Sequence, residues 1–177
     1  MMKKTLACTL FAGLVFPLAA SAQMDTLVKF DGGIGVIPVS SGVAVAPTLP
    51  TALTVENVNR NIVRGVQPAG QIWVIRDLKA DVKVDGRIQV HGKGLLLGGG
   101  NNIGGNANAN VFATLICEAV APFTERSTAP AGVALDPEGD FRIDDVLDIP
   151  ASVCASPVLL IRNASNRGWF AGGIPRR

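Results

Sequence analysis

Between Leu78 and Lys93 the chain alternates. Leu78, Ala80, Val82 and Val84 are apolar, and Lys79, Asp81 and Lys83 lie between them. Period two sends successive side chains to opposite faces, so the stretch reads as a strand with one buried face. Asp85-Gly86 marks a hairpin, and "RIQVHGKGLLL" is its return. Parity sets the register. A two-residue turn would place Val82 opposite Gln89 and Lys83 opposite Ile88, apolar against polar. A three-residue turn over Val84, Asp85 and Gly86 places Val82 opposite Ile88 and Ala80 opposite Val90. Opposed residues share a face, so the pattern predicts the three-residue turn, with Gly86 in the left-handed conformation of a bulge.

Further along, "NVFATLICEAV" is apolar on both faces: Val111, Leu115 and Cys117 on one, Phe112, Ile116 and Val120 on the other. That predicts a central strand. "VALD" is a short strand and "PEGD" a turn. "FRIDDVLDI" is apolar at Phe141, Ile143, Leu147 and Ile149, with Asp145 the exception. "SPVLLIR" is a buried strand, "NASNRG" a turn and "WFAGGI" the last strand. Helical periodicity is absent beyond the first residues. About seven to nine short strands, with turn signals every eight to twelve residues, predict an all-β domain over residues 63–175. The expected architecture is a single β-sandwich, immunoglobulin-like in outline, with a small β-barrel as the alternative.

The first 62 residues differ. Lys3 and Lys4, an apolar run and the small residues Ala20-Ser21-Ala22 have the order of a secretory signal, so residues 1–22 are expected to be removed before Gln23. Cys8 lies too early to be a lipoprotein cysteine. Residues 23–62 carry three prolines and several glycines in "FDGGIGVIPVSSG" and "APTLPT". They read as an extended N-terminal arm or edge strand.

Export changes the charge balance. The chain has 16 Lys+Arg and 14 Asp+Glu; the leader holds two of the lysines and no acid, leaving 14 against 14. No basic excess points to nucleic acid. No later apolar run is long enough for a transmembrane helix. The C-terminal "GWFAGGIPRR" does not match the aromatic end of an outer-membrane barrel strand. A periplasmic or extracellular location is expected. There, Cys117 and Cys154 would form a disulfide closing a loop of about 38 residues, worth roughly 4 kcal/mol on the chain-entropy account. Neither has a Cys-x-x-Cys partner or a neighbouring His or Lys, the marks of a reactive thiol.

Taken together, "FDGGIGVIPVS", "NRNIVRGVQPAGQIWVI", "DLKADVKVDGRIQVHGKGLLL" and "ANVFATLICEAV" resemble a group of small signal-peptide-bearing bacterial exported proteins without an assigned activity. The resemblance covers much of the mature chain. It implies export and a single compact domain, and no site.

Candidate chemistry is sparse. Gly98, Gly100 and Gly104 in "LLLGGGNNIGGNANANVF" give G-x-G-x-x-x-G, which is neither the dinucleotide nor the P-loop spacing, and a strand rather than a helix follows. The stretch reads as a mobile connection between core strands. "DPEGDFRIDD" is the best candidate site. Asp136, Glu138 and Asp140, with Asp144 and Asp145 nearby, offer hard oxygen ligands suited to Ca²⁺, although no EF-hand loop is present. The bland reading is a solvated acidic turn. A carboxylate pair from Asp136, Asp140 or Asp145 could serve a hydrolase. His91, the only histidine, belongs with Lys79 and Gln89 on a polar face and cannot build a multi-histidine zinc site. No G-x-S-x-G elbow exists. Tyrosine is absent, and Trp73 and Trp169 are the only tryptophans, poor equipment for stacking sugars or bases and better suited to the core. "NAS" at 163–165 matches a glycosylation acceptor at a turn. The leading expectation is a non-enzymatic exported module that contacts a protein or envelope component. A carboxylate-dependent hydrolase and a Ca²⁺ or small-ligand binder are the alternatives.

Overall fold

A computed structural model describes residues 25–41 and 58–176. The expected leader and residues 42–57 of the expected arm lie outside the described residues. The strands, in chain order, are β1 (Thr26–Gly35), β2 (Val39–Ser41), β3 (Val58–Arg60), β4 (Trp73–Val74), β5 (Asp77–Lys83), β6 (Arg87–Lys93), β7 (Leu96–Leu97), β8 (Asn110–Ile116), β9 (Arg126–Ser127), β10 (Val133–Ala134), β11 (Phe141–Val146), β12 (Val158–Asn163) and β13 (Trp169–Pro175). No helix occurs among the described residues. The chain is all-β, as its periodicity predicts.

One sheet dominates, in the order β10-β8-β12-β13-β1-β5-β6-β11, with β9 also pairing β8. Every neighbouring pair is antiparallel. The two ends of this path, β10 and β11, are consecutive in the chain and lie side by side. The turn between them is held by Asp136 N–H donating to Asp140 O (3.1 Å) and Gly139 N–H donating to Asp136 O (3.0 Å). Beyond β11, Asp148 N–H donates to Ser127 O of β9 (2.8 Å). The sheet is therefore nearly closed. Two small ribbons, β2–β3 and β4–β7, complete the fold.

The β5–β6 hairpin has the register that parity predicts. Val82 opposes Ile88 and Ala80 opposes Val90. Gly86 has φ of 90°, and its N–H donates to Lys83 O at 3.0 Å. Leu78, Val82, Ile88 and Val90 are fully buried, each contributing about 1.5–3 kcal/mol by burial. β8 is central, with Val111 through Ile116 buried on both faces. Trp73 stacks on Phe170 with ring centroids 3.8 Å apart, and both tryptophans sit in the core.

The N-terminal segment departs from expectation. β1 is no arm or edge strand, because it is hydrogen-bonded on both flanks, to β13 and to β5. Its glycines, which look like linker residues, have strand-specific jobs. Gly32, at φ 98°, sits where the β1–β13 register shifts between Phe30 and Gly33. At Gly35 a Cβ would come within 2.2 Å of Trp73 O, so only glycine lets the two backbones cross that closely.

Candidate functional site

The acidic turn folds as a structural device. Asp136 Oδ1 accepts Asp140 N–H at 2.7 Å. Asp140 Oδ1 accepts Gly94 N–H at 2.8 Å and faces Arg76 Nη2 at 3.6 Å. Glu138 is exposed. Asp145, the exception in the β11 alternation, reaches out of its strand: its Oδ2 accepts Ala129 N–H at 2.8 Å. Asp148 Oδ1 likewise accepts Ser127 N–H at 2.7 Å. Asp144 lies on the exposed face near Gln89 and Arg142. Of the carboxylates proposed for Ca²⁺ or hydrolysis, Asp136, Asp140 and Asp145 thus serve backbone amides, while Glu138 stays exposed. Among the described residues, no three His, Cys, Asp or Glu side chains come together where they could hold a metal ion.

His91 opposes Lys79 on the β5–β6 ladder, on the exposed face. Together with Lys29, Asp31, Gln89 and Arg176 they border a shallow depression of about 260 Å³. Three cations, Lys29, Lys79 and Arg176, meet two acids there, Asp31 and Asp81, so the charge is mixed.

Two cationic side chains that the sequence pattern does not single out hold the seam region. Arg162, in the apolar run of β12, is only 6% exposed. Its guanidinium pairs with Glu125, donates to Arg167 O (2.8 Å) and Thr114 Oγ1 (3.3 Å), and lies over the Phe112 ring. Arg126 Nη2 donates to Glu118 Oε1 at 2.8 Å. With Thr124 N–H on the other oxygen, that contact holds the Glu118 carboxyl down at about 2. Next to Glu118, Cys117 is disulfide-bonded to Cys154, as the cysteine count predicts. Arg64 donates to Ile116 O (3.2 Å) and Ser156 O (2.6 Å), bracing both sides of the bond.

The glycine–asparagine stretch is stitched rather than slack. Leu97 N–H donates to Gly105 O (2.9 Å) and Gly104 N–H returns to Leu97 O (2.8 Å). Asn106 Nδ2 donates to Leu135 O (3.3 Å) and Asp136 O (2.7 Å), tying the loop to the β10–β11 turn. Asn106 Oδ1 accepts Asn108 N–H (3.0 Å) across two residues with positive φ, Ala107 at 52° and Asn108 at 47°. This turn forms one wall of a depression of about 490 Å³, opposite Asn163, Ala164 and Ser165 and above Trp73 and Phe170.

A second surface is apolar. Ile37, Val39, Ile72 and Val74 are 60, 48, 42 and 49% exposed. With Gly70, Gly99 and Gly100, the first three border a groove of about 370 Å³ beside the β2–β3 ribbon. Among the described residues no helix is long and apolar enough to cross a membrane. Compared with known proteins, the chain matches no family model, no curated sequence and no solved structure.

Proposed function

We propose that the chain is a non-enzymatic exported module that binds another protein of the cell envelope through the apolar groove beside β2–β3. The observation that carries this reading is the conjunction of apolar side chains with free strand edges. Ile37, Val39 and Ile72 stand exposed where β2 and β3 pair only with each other among the described residues. Single exposed hydrophobics are ordinary, whereas a groove of them marks a contact surface. Gly70, Gly99 and Gly100 put bare backbone along the groove, which lets a second backbone approach. The occupant this suits is an extended, apolar, uncharged segment of a partner, added as a strand.

The Cys117–Cys154 bond supports an oxidising compartment, periplasmic or extracellular. It agrees with the resemblance to signal-bearing exported proteins. The single-path strand order supports the small-barrel form of the architecture over two separate sheets. The acids at Asp136, Asp140 and Asp145 are committed to backbone amides, which weighs against both the hydrolase and the Ca²⁺ readings.

A photo-crosslinking side chain introduced at position 37 or 72 tests the proposal in producing cells. The expected result is an adduct to an extended apolar segment of one envelope protein, mapped by mass spectrometry. The same probe at the exposed position 142 should give none. Equal adducts from all three positions, or none from 37 and 72, would overturn it.

A further inference from the structure

We propose that the depression between the Asn106–Asn110 turn and the Asn163–Ser165 turn is a binding site for an uncharged sugar ring. Its volume, about 490 Å³, falls within the range of small-molecule sites, roughly 300–1,000 Å³. None of its lining residues is charged. That removes phosphate and carboxylate ligands, which call for cationic side chains or free amides. Two amides of the turn are already used, since Asn108 N–H binds Asn106 Oδ1 and Ala109 N–H binds Asn106 O.

The polar groups that remain are set in orientation. Asn163 Oδ1 is occupied by Ser165 N–H (2.9 Å) and Ser165 Oγ–H (3.1 Å), which leaves its Nδ2 to donate. Asn110 Nδ2 donates to Ala131 O (3.3 Å), which leaves its Oδ1 to accept. The two residues are on neighbouring strands, where Ala164 N–H donates to Asn110 O (2.9 Å). Asn163 and Asn110 both line the depression, so one brings it a free donor and the other a free acceptor, and a sugar hydroxyl, which donates and accepts, can meet either. Ala107, Pro130 and Ala131 add small apolar walls for the C–H faces of a ring.

Ala107 gives an independent sign that this wall is built for a purpose. A non-glycine residue at φ 52° is strained and persists only where its surroundings enforce it. Here Asn106 does the enforcing, with four hydrogen bonds around the turn. The tryptophans are in the core, so no exposed ring stacks on the sugar. Hydrogen bonds carry recognition, and the affinity expected is millimolar.

The test is amide NMR of the full mature chain titrated with glucose, galactose, mannose and N-acetylglucosamine to tens of millimolar. A second arm uses oligosaccharides ending in each sugar. At least one probe should give saturable shifts confined to residues 107–110 and 163–165. Saturation by a monosaccharide assigns a free sugar; saturation only by an oligosaccharide assigns the end of a glycan. Asn163→Asp keeps the oxygen that Ser165 needs but removes the donor, so binding should weaken at least tenfold while other resonances stay in place. No shift with any probe, or shifts unchanged in Asn163→Asp, would overturn the proposal. The site shares no lining residue with the apolar groove, so either reading can fail without the other.

Discussion

Asp145 reaches from β11 across the seam of the sheet to Ala129, where its Oδ2 accepts the backbone N–H at 2.8 Å. Asp148 does the same for Ser127. A ladder would satisfy these amides with carbonyl oxygens; here side chains stand in for the absent strand contacts. Removing the acceptor hands this exposed N–H to water, a loss of about 0.5–1.5 kcal/mol. Asp145→Ala should lower stability by that amount in urea unfolding, and Asp145→Asn, which keeps an acceptor oxygen, should recover part of it. An Asp145→Ala variant as stable as the wild type would show that the seam closes without the carboxylate.

Glu118 makes stability depend on acid. Its folded carboxyl titrates at about 2, against an ordinary value of 4.5, chiefly because Arg126 binds it. The unfolded chain therefore takes up the proton first as pH falls. The stabilisation is present above about pH 4.5 and disappears between there and about pH 2. Glu118→Gln removes that component, so the variant's stability should fall less steeply than the wild type's between pH 5 and 2. Parallel urea midpoints for the two proteins across that range would refute the assignment.

Gly35 tolerates no side chain. A Cβ there would lie 2.2 Å from Trp73 O and 2.8 Å from Val74 Cα, and backbone cannot swing aside as a flexible side chain can. Gly35→Ala should cost about 3 kcal/mol or more. Gly70→Ala, with nothing within 4 Å of the new methyl, should be neutral or slightly stabilising. Thermal unfolding of the two variants separates a close crossing from a merely glycine-rich sequence.

Breaking the Cys117–Cys154 bond should cost about 2–4 kcal/mol. Arg64 still braces Ile116 and Ser156 without the sulfurs, so the paired Cys→Ala variant should fold with its sheet intact and a lowered urea midpoint. A reductant should lower the wild type's midpoint to the same place and leave the variant's unchanged.

The β5–β6 hairpin was legible because alternation and turn length constrain each other: only one loop length puts Val82 against Ile88. β8 was legible because seven consecutive residues had no polar face to offer. β1 was misread because Gly32, Gly33 and Gly35 look the same in a linker, a bulge and a tight crossing. What separates these cases is the neighbour, and Trp73 is 38 residues away in the chain. The acidic turn had the right residue types for Ca²⁺. Whether a carboxylate serves a cation or an amide depends on long-range placement, as Asp140 meeting Gly94 illustrates. Arg162 and Glu125 lie 37 positions apart, and no local pattern joins them. An arginine ending the run "VLLI" was the only signal available.

The pairing of β1 with β13 brings Gly35 against Ala171 and Phe30 against Pro175, so the beginning of the described chain rests on its end. Such long-range pairings place the fold among slow folders, with milliseconds to seconds expected for sheet-rich domains. A chain arriving N-terminus first can form the β5–β6 hairpin at once, but β1 has a partner on only one side until the last strand arrives. Completion of the sheet thus waits on β13, which pairs with both β1 and β12. A chain cut short before Trp169 would expose the unpaired flanks of β1 and β12 together, a surface open to aggregation and proteolysis.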